Sequence, residues 1–130
     1  MSKKERVLSW ILLVLCAAPI LTAVVGGQFL PDQIPVHSNV AGEIDRWGSK
    51  YEELVLGVCF SLSGWILWLV SRFSGAFADT ETERVQARAN AHIVRVIGIA
   101  VQLFLTVLEV VMLIGAAQEA AAGAVVSSIP

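Results

Sequence analysis

Residues 7–30 form an apolar run broken only by the polar side chains of Ser9, Thr22 and Gln28, and this run constrains the chain more than any other feature. About 20 such residues in a helix cross the roughly 30 Å hydrocarbon core of a bilayer. Two further runs, 54–71 and 94–117, meet the same length requirement. The overall balance agrees: 56% of residues are hydrophobic and 15% charged, with a mean hydropathy of +0.73, against about 45–50% apolar residues in soluble domains. The expectation is an all-α membrane protein, a single domain over 1–130 with three transmembrane helices and a structured extracytoplasmic loop over 31–53. Lys3, Lys4 and Arg6 before the first run also suit a signal peptide, but the length of the run favours an uncleaved anchor.

Charge placement sets direction. Three Lys or Arg precede the first run, two lie in the loop, four fall between Arg72 and Arg95, and none follows the third run. The positive-inside rule then predicts a cytoplasmic N-terminus and an extracytoplasmic C-terminus in a bacterial cytoplasmic membrane, with the 31–53 loop outside. Trp10 and Trp68 are expected at the inner interface and Trp47 at the outer one. A formal charge of −2, with the nine basic residues dispersed, excludes a nucleic-acid partner. Cys16 and Cys59 both sit in apolar runs and read as packing residues.

Lipid tails are as apolar as leucine, so small residues at four-residue spacing mark helix contact faces. Ala18, Thr22 and Gly26 form such a stripe in the first span, and Gly57, Ser61 and Gly64 in the second. Pro19 predicts a bend in the first span, because it removes an amide donor and clashes with the Leu15 carbonyl. In the third span Arg95, Gln102, Thr106 and Glu109 share one face at 3.6 residues per turn. Thr80 and Glu83 have capping-box spacing, which predicts that this helix starts near residue 81, well before the membrane. Glu109 is the costly member, since a carboxylate at membrane depth is unfavourable by about 2.5 kcal/mol or more. It is expected to face the bundle and to meet Lys50, Arg46 or polar atoms of the loop.

In the loop, Pro31 and Pro35 end the first helix and hold the backbone extended, while Gly42 and Gly48 permit turns. Folded back over the bundle, such a loop would bring together His37, Asn39, Asp45 and Lys50, with Asp45 and Lys50 as an ion pair. One histidine with carboxylates falls short of a usual zinc set, so neither metal nor cofactor is expected. The pattern Pro31, Ile34-Pro35, His37, Asn39, Gly42, Asp45, Trp47-Gly48-Ser49-Lys50 between the first two spans resembles the signature of an uncharacterised bacterial membrane domain, domain of unknown function 1648. That domain also forms the N-terminal half of SdpI-type immunity proteins. Ser38 departs from the family, which usually has an aromatic residue between the histidine and the asparagine.

The resemblance implies a binding or protective module of the immunity or resistance type, acting through its external loop on a peptide or toxin. It assigns no catalytic residue. The binding candidates are His37, Asn39, Asp45, Lys50 and Glu109. Two other readings stand beside it. The polar face from Arg95 to Glu109 suits a homo-oligomeric transporter of ions or small solutes, because three helices alone hardly enclose a pore. His37 with Asp45 suits a membrane enzyme. In every case the surrounding partner is membrane lipid.

Overall fold

The computed structural model describes residues 1–127, with the side chains of Pro35, His37, Ser38, Ile44, Asp45 and residues 124–127 outside that description. The elements run α1 (Lys3–Leu15), α2 (Ala18–Gly27), β1 (Gln33–Ser38), β2 (Ile44–Ser49), α3 (Tyr51–Phe73) and α4 (Glu81–Ser127). Three helical segments, α1 with α2, α3 and α4, are long and apolar enough to cross a membrane. Only 22–28% of their apolar windows is buried inside the protein. Leu21, Val25, Ile66, Phe104 and Val111 accordingly point outward, as lipid-facing side chains must.

The first span breaks rather than bends. Pro19 stands in the first turn of α2 and has no N–H for the Leu15 carbonyl, so the helix stops at Leu15 and restarts at Ala18. An interrupted backbone inside a membrane needs other partners, and α3 supplies them. Ser61 Oγ accepts the Ile20 N–H at 3.0 Å, and Trp65 Nε1 donates to the Leu13 carbonyl at 3.4 Å. Trp68 Nε1 donates to Ser9 Oγ at 3.1 Å and ties α3 to α1.

Close approach of α3 follows from its small residues, as the spacing predicts. A Cβ at Gly57 would come within 2.6 Å of the Ala23 Cβ and 2.9 Å of the Pro19 carbonyl, and one at Gly64 within 2.5 Å of Cys16 Sγ. On α2, however, the buried residues are Pro19 and Ala23. Ala18 and Thr22 are only half-buried, because Gly57 seats against the Pro19–Ala23 side. Cys16 is buried and packs; Cys59 faces outward, and both are free thiols.

The predicted capping box starts α4. Thr80 Oγ1 accepts the Glu83 N–H at 3.1 Å, and Glu83 Oε2 accepts those of Thr80 and Asp79 at 3.2 and 2.7 Å. These backbone donors hold the Glu83 carboxyl, in water outside the membrane-crossing stretch, below its usual pKa. At 47 residues and about 1.5 Å per residue, α4 is roughly 70 Å long and outruns the bilayer.

The 31–53 loop folds as an antiparallel hairpin, a structure the loop expectation did not contain. Asn39 builds its turn: Oδ1 accepts the Ala41 and Glu43 amides at 3.0 and 2.9 Å, and Gly42 adopts φ +83°, where a side chain would be strained. Pairing runs from Gln33 with Ser49 to Ser38 with Ile44, and shifts on either side of His37 disrupt the ladder. Pro35 is tolerated because a two-stranded sheet consists of edge strands. An isolated hairpin is marginal at best. Here Ile34, fully buried, packs with Leu30, Leu113 and Ala116, and Val36 and Ala117 cover the same cluster. The alternation of Ile34 and Val36 thus puts one face of β1 on the far end of α4.

Candidate functional site

The polar face of α4 turns into the bundle. Arg95, Gln102 and Glu109 are 5%, 0% and 0% exposed, although the sequence around them is apolar enough for lipid contact. At one end Arg95 Nη1 donates to Glu5 Oε2 at 2.8 Å and Nη2 to the Ser71 carbonyl at 3.2 Å. His92 Nδ1 lies 2.6 Å from Glu5 Oε1. This network clamps α1, α3 and α4 together. In the middle, Gln102 Nε2 donates to the Phe60 carbonyl at 3.1 Å, and Thr106 Oγ1 to the Gln102 carbonyl at 2.8 Å.

Towards the hairpin the column changes character. Both oxygens of Glu109, Oε1 of Gln102 and Oε2 of Glu53 are buried with no hydrogen-bond partner among the described residues. Glu53, in the first turn of α3, is 6% exposed and lies one turn before Gly57 on the same helix face. Gly57 gives the Glu109 carboxyl its space, since a Cβ there would sit 2.9 Å from Oε1. The expected partners are elsewhere: Arg46 pairs with Glu52 at 3.2 Å and Lys50 with Asp32 at 3.6 Å. The physical reason is that the hairpin and the α3 N-terminus provide exposed acids nearer to both cations. Two buried acids without a base require a proton, a cation or a donor from a ligand to be stable there.

Of the loop candidates, Asn39 spends its side-chain carbonyl on the turn and sets its Nδ2 3.4 Å from Glu43. Lys50 leads into α3, receives Tyr51 under its ammonium at 5.6 Å, and lines a cavity of about 260 Å³ with Ala23, Gln28 and Leu54. The strand register brings the backbone of His37 opposite Arg46. The side chains of His37 and Asp45, and with them the Asp45–Lys50 ion pair and the enzyme reading, lie outside the described residues. Among the described residues no group of His, Cys, Asp and Glu is arranged to hold a metal ion.

Sequence reasoning missed Glu5 and Glu53. A signal existed for both. Glu53 continues the Gly57–Ser61–Gly64 face one turn further, and Glu5 heads the Ser9–Leu12–Cys16 face of α1, at spacings that share a helix side.

The family model of a domain of unknown function (DUF1648) matches residues 14–62, which comprise the last residues of α1, the break, α2, the hairpin and the first half of α3. No curated protein and no solved structure matches the chain. Glu109 and the rest of α4 fall beyond the match, whereas Glu53 and Gly57, which gives the Glu109 carboxyl its space, fall within. Residues 14–62, including the hairpin that carries the motif, are thus similar to the DUF1648 family model.

Proposed function

We propose that this is a multi-pass protein of the bacterial cytoplasmic membrane, SdpI-like, with its N-terminus cytoplasmic and its hairpin and C-terminus outside, and that it acts as a binding or protective module. The hairpin is the recognition element and a peptide or peptide toxin its partner. One observation supports this reading most directly. The hairpin is fastened to α4 through a buried cluster, yet its two outer strand edges are unpaired among the described residues and Val40, Trp47 and Tyr51 are exposed. An open strand edge beside apolar side chains is a template on which an extended peptide can add a strand. A strain lacking the protein should become more sensitive to at least one member of a panel of membrane-active peptides. Wild-type protein should restore resistance and Trp47→Ala should not. Unchanged sensitivity across the panel would end the reading.

A second reading, a homo-oligomeric carrier of ions or small solutes, draws on the unpartnered acids Glu53 and Glu109. It requires more than one copy of the chain, so crosslinking in native membranes that yields only monomer would exclude it.

A further inference from the structure

At the end of the bundle opposite the hairpin, α1, the α3–α4 connection and the first turns of α4 enclose a pocket of about 390 Å³. Arg72, Arg84, Arg88 and Arg95 line it, against a single carboxylate, that of Glu5. Arg95 forms its buried wall. Two of its nitrogens are used by Glu5 and Ser71, but Nε is buried with no partner among the described residues. An orphaned guanidinium donor in a protein interior is costly, and its natural complement is an anionic oxygen that enters the pocket.

The other arginines are free to turn. Arg84 and Arg88 both reach Glu81 only at 3.5 Å, Arg84 Nη2 also donates to the exposed Asp79 carbonyl at 3.3 Å, and both side chains remain more than half exposed; surface pairs of that kind are worth about 0–1 kcal/mol. Arg72 makes no ion pair among the described residues; it lies 5.9 Å from the Phe73 ring. Several forked donors around one cavity match the oxygens of a phosphate better than any single carboxylate. The pocket also sits where the apolar part of α3 ends at Phe73, and Phe73 and Phe77 are exposed beside it, which places it at the level of lipid headgroups.

We propose that this pocket is a binding site for a phosphate group, with Arg95 Nε as the fixed inner donor and Arg84 and Arg88 as the closing outer ones. Two sources present that chemistry, an anionic phospholipid headgroup and free phosphate in the adjoining water. Basic recesses between membrane helices hold the former.

Native mass spectrometry of the full chain in detergent tests it, with phosphatidylglycerol and inorganic phosphate as separate probes. The comparison sets wild type against Arg84→Gln/Arg88→Gln and against Lys3→Gln/Lys4→Gln. The last pair removes two charges from the same end of the protein but outside the pocket. Both changes are on exposed side chains, so folding is retained. Wild type and the lysine variant should hold one phosphatidylglycerol with similar affinity, and the arginine variant should bind it about tenfold more weakly, the loss of one charge-assisted contact or more. Binding of inorganic phosphate that displaces the lipid and weakens in the same variant would support the pocket with free phosphate as its source. Equal lipid retention by all three proteins with no phosphate binding, or equal loss in both variants, would overturn the proposal.

Discussion

Single residues decide how this bundle tolerates polarity at membrane depth. Ser61 is fully buried and its hydroxyl is the acceptor for the amide released at the break in the first span. Ser61→Ala should cost about 1–2 kcal/mol, because it leaves a buried N–H with no partner, and a thermal melt in detergent will show it. Glu109 presents the opposite case. An ion pair with Lys50 or Arg46 would make its removal destabilising. With both oxygens unpartnered among the described residues, Glu109→Met should instead raise stability by about 1–3 kcal/mol, the penalty of an unsatisfied buried group. A lowered melting temperature for this variant would mean that Glu109 has a stabilising partner. Sequence spacing was enough to place Glu109 on the same face as Arg95 and Gln102, but not to name partners, which depend on where other elements put their charges.

Among the elements, α3 holds the others together. It contacts α2 through Gly57, approaches Cys16 through Gly64, and patches the broken span with Ser61 and Trp65. At Gly64, alanine would gain about 1 kcal/mol of helix propensity but drive its methyl to 2.5 Å from Cys16 Sγ and 2.6 Å from the hydrogen-bonded Gln102 amide. Overpacking of this kind costs about 1–3 kcal/mol, so Gly64→Ala should lower the melting temperature, whereas Gly115→Ala on α4, with nothing near its Cβ, should not. The Gly57–Ser61–Gly64 stripe and the Thr80–Glu83 box were legible in the sequence because both are local patterns on one helix. The hairpin was not. Prolines at 31 and 35 argue for an irregular extended segment, and the Ile34–Val36 alternation is too short to outweigh them until α4 is present to cover it.

For the molecule as a whole, the hairpin is joined to the bundle through the cluster of Leu30, Ile34, Leu113 and Ala116, with Val36 and Ala117 packed against it. Ile34→Ala should release the hairpin at a local cost of about 2–4 kcal/mol and make the 39–43 turn the first site of limited proteolysis, while helix content by circular dichroism stays unchanged. Cleavage no faster than in wild type would mean that the hairpin holds without this anchor. The three apolar lengths, a distortion of the first span at Pro19, the start of α4 and the inward face of its polar residues are determined by the sequence itself, because each follows from a run length, a missing amide or a helical spacing within one segment. Which acids end up paired and which do not, that Leu113, Ala116 and Ala117 of α4 support a hairpin, and that four arginines of α3 and α4 line one cavity with Glu5 of α1 were decided only by the tertiary structure. Those outcomes depend on distances between segments up to ninety residues apart, as Glu5 and Arg95 are, and no local pattern encodes such distances.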